Sequence, residues 1–485
     1  MLFGYAQIVL YTHFVAGSFG FHDLTLINDF LSNTIHGRGF FLITDYHQSH
    51  FTVHFTPTLI LLTPLYLLFD SQFLLIGAGV AALYASFAVF LVVFKEIAGL
   101  AGVAQARGDV SQAWLAPLAF LLLMALNFYT LTVLLAASCW LFYSLFFALT
   151  VLLLVRRQRL WLPIATGLLA LGIRQDAGFY FSLQILSLWF LPIAAIDTRR
   201  RFRRGVLVLS ALGALYAIVC VIWIMPALGM QTHVDHGWQL WGANWPEVAR
   251  TVVTSPVRVW DDLRRSAAAS VNNQLLWLPI WNPWSWLLNN IPGVLLYISA
   301  EVSKRDLWYY NASFLLPGML LASWTGYLAL VRLLARVSSP AMVRVAAPAL
   351  LVVLSVVSLA NLWKPTATNN LRFVPEPRSR GTRAFRQAID LVEHQCPNAR
   401  RFSADFKNIV FLPNDSAKYL LVHYAEADVL LFPDGTARLP GNFSSSAEAV
   451  RIISSDPAFR EWPVSSQVHA FIRRGFACTP GGVAP

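Results

Sequence analysis

Apolar residues in this chain come in long unbroken runs separated by short polar connections. Residues 73–94, 132–155, 205–228 and 345–363 carry no charge. Each run is roughly 19 to 24 residues long, enough at 1.5 Å per residue to cross a hydrocarbon core of about 30 Å. Shorter apolar stretches at 161–173, 177–196 and 312–331 add crossings. Residues 2–19 lack a basic leader and a small-residue cleavage site, so they read as a first span and not as a signal peptide. Residues 275–300 are apolar but are broken by Pro279, Pro283 and Pro292, the pattern of a re-entrant hairpin or of two short helices buried in protein. Residues 58–69, with Pro57 before them and Pro64 within, make a helix lying in the membrane interface. The expected fold is a polytopic α-helical membrane protein of about nine to eleven spans.

From residue 381 the pattern changes to mixed polar. Helical spacing of apolar residues predicts a helix over 382–393, and short apolar runs predict strands at 408–412, 419–422 and 429–432. The predicted organisation is a multi-span domain over 1–363, a linker over 364–380 and a small α/β domain over 381–485. The last holds no glycine-rich phosphate loop, zinc-ligand spacing or nucleophile motif. Asn442-Phe443-Ser444 is a formal glycosylation sequon.

Of the 485 residues 57% are hydrophobic and 13% charged, with a net charge of +11. That excess would suit nucleic acid, but its placement excludes this reading. Arg156, Arg157 and Arg159 follow one span, Arg199, Arg200, Arg201, Arg203 and Arg204 lie between two others, and Arg332, Arg336 and Arg344 flank a third connection. Positive charge in short inter-span loops marks the cytoplasmic side. Counting crossings outward from these loops puts 20–72, 229–271 and the C-terminal domain outside the cytoplasm, on an inner (plasma) membrane protein. Of the four cysteines, Cys139 and Cys220 sit within apolar runs as packing residues. Cys396 and Cys478 bracket the C-terminal domain, where an oxidising compartment would permit a disulfide.

The same count gathers the polar chemistry on the outer face. Asp23 follows the first span, placed either to act as a base on an acceptor hydroxyl or to cap a helix. Asp29 is a second acid nearby. Five histidines (His22, His36, His47, His50 and His54) fall in the same loop, and the spacing of the last three resembles metal-ligand spacing only loosely. Arg174 and Asp176 end a short span: the guanidinium can take a phosphate in a two-pronged contact, the carboxylate can orient it or contact a sugar hydroxyl, and the bland alternative is a snorkelling arginine with its counter-ion. Trp308, Tyr309 and Tyr310 can stack on a sugar or prenyl chain, or form part of an interfacial aromatic belt.

Asp23-Leu24, Asn33, His36-Gly37-Arg38-Gly39-Phe40, His54-Phe55-Thr56-Pro57 and Leu61-Leu62-Thr63-Pro64-Leu65-Tyr66 together resemble the membrane proteins of domain-of-unknown-function family 2079. Arg174-Gln175-Asp176 stands where that family typically shows Lys-Glu-Asp, and Trp308-Tyr309-Tyr310 with Pro317 resembles its His-Tyr…Pro segment. The family looks related to the GT-C glycosyltransferases, multi-span enzymes that take sugar from a polyprenyl-phosphate donor on the outer face with an acid of the first external loop as base. The resemblance implies that Asp23 is the base, Asp29 its alternative, and that His54, Asn127, Tyr129, Arg174, Asp176, Tyr309 and Tyr310 bind substrate. It implies a polyprenyl-phosphate sugar and membrane lipids as partners, no required cofactor, and a divalent cation as an optional source of positive charge. Departures weigh against activity: Asn28 replaces an acid, Asn127-Phe128-Tyr129-Thr130 lacks the family's histidine and glutamate, and Gln175 replaces a glutamate. The expected function is glycosyl transfer; the alternatives are a non-catalytic membrane assembly or binding protein and a lipid or sugar transporter.

Overall fold

The computed structural model describes residues 2–16, 22–101, 125–135, 139–191, 196–230, 237–307, 309–337, 380–405, 408–413, 415–434 and 445–478, with scattered positions between them. Two compact units emerge, and they do not follow linear order. One joins residues 1–50 and 61–77 to 375–485; the other holds 51–60 and 78–374.

In the first unit five strands form one mixed sheet. The strands are β3 (Arg401–Ala404), β4 (Ala417–Leu420), β5 (Val429–Pro433), β6 (Phe459–Glu461) and β7 (Val468–Arg473), following a small antiparallel pair, β1 (Leu42–Ile43) and β2 (Gln48–Ser49). β3 runs parallel to β4 and β5, while β7 is antiparallel to β5 and β6. Side chains alternate across a strand, and the central β5 is covered on both faces, so it reads as an unbroken apolar run. Val429 and Leu431 pack with Phe385 and Val392 of the helix Arg380–Gln395. Leu430 and Phe432 pack on the other face with Ala449 and Ile453 of the helix Ser446–Ser455. That second helix starts at Ser445, whose side chain accepts from the Glu448 amide and satisfies one of the donors a helix start leaves open. Cys396 and Cys478 are joined by a disulfide.

The helix over 382–393 and the strand over 429–432 correspond to observed elements. The predicted strand over 408–412 is instead a 3₁₀ turn, Ile409–Phe411, because Asn408 and Ile409 donate back to Asp405 and curl the chain. The strand predicted over 419–422 lies earlier, and 3₁₀ structure begins at Leu421. The sequon's Asn442 and Ser444 lie outside the described residues.

Three described helices are long and apolar enough to cross a membrane: Gln72–Leu100, Arg199–Ala227 and Leu316–Val337. The second contains a π-turn at Cys220–Ile224, which includes Ile222, the residue four before Pro226 whose carbonyl a proline cannot serve. Shorter apolar helices are Pro57–Leu68, Cys139–Val155, Trp161–Leu171 and Ala177–Phe190. In the run over 132–155, expected as one span, α-helix is described over Phe128–Leu135 and Phe142–Val155 with a 3₁₀ turn at Cys139–Leu141, and residues 136–138 lie outside the described residues. Most of 345–363 lies outside the described residues.

In the second unit Trp324 ties two long helices together, its indole N–H donating to the Phe94 carbonyl at 3.0 Å while its ring stacks on Phe94. The broken segment predicted over 275–300 becomes a left-handed pair, Leu276 and Trp277, then a 3₁₀ turn Leu278–Trp281 and the helix Pro283–Tyr297. The turn presses its Leu278 carbonyl against Gly326, where a Cβ would overlap it, so this bend needs glycine on the facing helix.

Candidate functional sites

Among the described residues, candidate polar clusters occur in both units. In the first, the helix His22–Ile35 presents Asp29 to the tip of the β1–β2 hairpin. The Thr44 amide donates to Asp29 Oδ2 at 2.7 Å and the Thr44 hydroxyl to Oδ1 at 3.1 Å. Asn33 closes the same corner, donating to the Leu42 carbonyl at 2.7 Å. The next tip residue, Asp45, reaches the C-terminal sheet: its Oδ1 accepts from the Leu420 amide at 2.9 Å and lies 2.8 Å from His423 Nδ1. Arg38 donates to the Asp415 carbonyl at 2.6 Å and to the Ser32 hydroxyl at 3.2 Å. The first loop and the C-terminal sheet are therefore stitched into one body by side chains some 380 residues apart in sequence.

Opposite Asp29, on β4, is the buried Lys418. Burial pushes the Asp29 carboxyl up to about 6, against the Thr44 hydrogen bonds and the positive field of Lys418. Burial likewise brings the Lys418 ammonium down to about 8, opposed mainly by Asp29. At neutral pH both therefore remain ionised. With Thr25, Asp45, Ile409 and Leu420 they surround a cavity of about 10 Å³, where Asp45 Oδ2 and Thr25 Oγ1 are buried and unbonded. Such a space holds about one water. Asp29, offered as an alternative base, lies at this cavity in the field of Lys418.

Asp23, the first-choice base, falls in the opening turn of the helix His22–Ile35, and its side chain lies outside the described residues. Of the three spaced histidines, His47 pairs with Glu426 at 3.0 Å, His50 stacks on Phe30, and His54 belongs to the second unit. Burial drives His50 down to about 3, so it stays neutral. Among the described residues no three His, Cys, Asp or Glu side chains gather as metal ligands.

The second unit's cluster is built on the turn between the helices Trp161–Leu171 and Ala177–Ser187. Arg174 holds Asp176 in a two-pronged contact, Nε to Oδ1 and Nη2 to Oδ2, both at 2.5 Å. Its guanidinium carbon lies 4.5 Å from the Phe314 ring centre and 5.5 Å from that of Trp140. The arginine side chain is 14% exposed and that of Asp176 42%, so the carboxylate is the more accessible of the pair. Gln175 points the other way: its amide nitrogen lies 3.1 Å from His54 Nδ1, and its oxygen accepts from the Phe55 amide at 3.2 Å. His54 also meets the Trp140 ring edge-on. Sequence reasoning missed Trp140 and Phe314, because they sit in apolar runs and nothing in their spacing separates them from packing aromatics.

Asn127 and Tyr129 line a different, mostly apolar cavity of about 30 Å³ with Leu275, Ala312 and Leu316. Asn127 Oδ1 accepts from the Tyr129 amide, while its Nδ2 is buried and unbonded. Tyr309 and Tyr310 lie on the 3₁₀ turn Tyr309–Ala312, with side chains outside the described residues.

Long apolar helices together with a small mixed sheet define a helical membrane protein with a C-terminal sheet region. Residues 18–467 match the family described as "Predicted membrane protein (DUF2079)", and the chain belongs to that family. No curated protein matches the chain.

Proposed function

We propose that the protein is a membrane glycosyltransferase of GT-C type that moves a sugar from a polyprenyl-phosphate donor to an extracytoplasmic or lipid-linked acceptor. The observation that carries this reading is the Arg174–Asp176 pair, fixed between Trp140 and Phe314 beside His54. In the reaction, Asp23 takes the proton of an acceptor hydroxyl. The oxygen bonds to the anomeric carbon, and the sugar–phosphate bond breaks with its electron pair leaving on the lipid phosphate. Negative charge grows on that phosphate in the transition state, and a guanidinium held in place by rings and a carboxylate can meet it with little reorganisation. The exposed Asp176 carboxylate is suited to a sugar hydroxyl, and His54 to a headgroup or sugar oxygen. A divalent cation is an alternative source of the same charge compensation.

A second reading is favoured by the first unit. The interlocked loop and sheet suit a membrane assembly or binding protein, in which the body over 1–50 and 375–485 is the working surface. The two readings separate on Arg174→Gln and Asp176→Asn, each scored for membrane level and for surface glycans. Loss of a transition-state charge partner costs about 10²–10³ in rate, so the transferase reading expects the glycan to collapse at normal protein level. A full glycan complement in Arg174→Gln would sink it.

A further inference from the structure

One charged cluster takes no part in the proposed chemistry. Arg199, Arg200, Arg203 and Arg204, with Trp189 and Leu207, line an open cleft of about 380 Å³. The arginines sit on the opening turns of the helix Ile196–Val219 as two i,i+4 pairs, so they form adjacent rows on one face. Trp189 comes from the 3₁₀ turn Leu188–Phe190 that precedes it.

Two of the arginines are held in place. Arg199 donates to the Ile193 carbonyl through both Nε and Nη2, at 2.9 and 2.5 Å. Arg203 lies over the Trp189 ring at 4.7 Å, and its Nε is buried without a hydrogen-bond partner. No carboxylate lines the cleft among the described residues. Asp197 lies at the helix start, with its side chain outside them. The positive end of a helix dipole is a poor place for four cations and a good one for an anion. A topology signal needs only charge near the membrane. It does not need an arginine stacked on tryptophan, another tethered to a carbonyl, or a cleft between them.

We propose that this cleft binds the phosphate headgroup of an acidic membrane lipid, on the face that the arginine bias assigns to the cytoplasm. Adjacent guanidinium groups contact the phosphate oxygens in two-pronged fashion, and Trp189 and Leu207 lie against the glycerol and upper acyl chain. Basic pockets between spanning helices on that side are suited to such headgroups.

The test uses the full chain purified in detergent, read by native mass spectrometry and by thermal unfolding. Phosphatidylglycerol, phosphatidylcholine and inorganic phosphate are added in separate arms. The expected result is one retained phosphatidylglycerol and a raised Tm in that arm alone. Arg203→Gln should reduce retention about fivefold, the worth of one arginine near an anionic lipid. Arg203→Lys keeps the charge and the topology signal but loses the fork and the stacking, so it should also weaken retention. Arg156→Gln, in another arginine loop, should not. Equal retention of the two lipids, unchanged retention in Arg203→Lys, or an equal loss in Arg156→Gln would overturn the lipid site. An equal Tm rise with inorganic phosphate alone would overturn the lipid as its occupant. If Arg203→Gln does not accumulate, the lysine variant and the lipid comparison still decide.

Discussion

Replacing Lys418 by methionine leaves Asp29 facing an apolar β4 with its carboxylate still out of water. Holding that carboxylate ionised already costs about 3 kcal/mol with Lys418 present, the equivalent of a rise from 3.8 to about 6. Replacing both charged groups with neutral ones of similar shape is close to neutral. Lys418→Met removes a charge that lowers Asp29 and should therefore destabilise the loop–sheet body by about 1 kcal/mol at pH 7, a cost capped because the carboxyl takes up a proton. Asp29→Asn/Lys418→Met should recover most of it, since an asparagine oxygen still accepts from the Thr44 amide. Hydrogen exchange on the full-length protein reads this locally, in the amides of His22–Ile35 and Ala417–Leu420. The pH dependence carries a second signature. Because its folded-state value is raised, Asp29 penalises the fold fully above about pH 6 and not at all below about pH 4, so stability from this group falls as pH rises across that window. Lys418, whose value is depressed, penalises the fold below about pH 8 and is relieved above it. The Lys418→Met variant should thus regain protection as pH falls from above 6 toward 4, because without Lys418 the folded Asp29 takes up its proton above about pH 6. A single mutant as protected as wild type, or a double mutant no better than Lys418→Met, would refute the coupling.

Reducing the Cys396–Cys478 bridge, which closes 82 residues, should cost the sheet domain about 4 kcal/mol by loop entropy; protease resistance in reducing against oxidising buffer measures it, and equal resistance would contradict it. Gly326→Ala sets a methyl against the Leu278 carbonyl and should cut folded yield in detergent, with a cost of about 3 kcal/mol or more; an unchanged Tm would mean that the bend relaxes freely. Trp140→Ala removes an aromatic contact from both Arg174 and His54. It should lower glycan output about tenfold or more at normal membrane level, through misplacement of the charge pair; unaltered output would leave Trp140 a packing residue.

Much of the helical layout is legible because lipid-facing runs must be long, apolar and free of charge, as in the helix Gln72–Leu100. The central strand Val429–Pro433 was legible for a related reason: buried on both faces, it had to be continuously apolar. The strand Val468–Arg473 was missed because His469 and Arg473 interrupt its apolar pattern. The turn at Cys139–Leu141 was hidden because a 3₁₀ turn inside an apolar run keeps the composition of a span. Within the candidate sites, Arg174 and Asp176 announced themselves as charges at the end of an apolar run. Asp29 gave no sign of its partner, since Lys418 is remote in sequence and an isolated lysine on an edge strand reads as a solvated one. The same holds for Asp45 and His423, whose meeting depends on the sheet folding back onto the first loop.

Glycosyl transfer with Asp23 as base can be read by mass spectrometry of polyprenyl-phosphate-sugar pools and surface glycans. The cells compared would carry wild type, Asp23→Asn or a deletion, at matched membrane levels. Asp23→Asn should accumulate a lipid-linked sugar and lose the same glycan as the deletion. Full rescue of the deletion phenotype by Asp23→Asn would contradict it and move the assembly reading ahead.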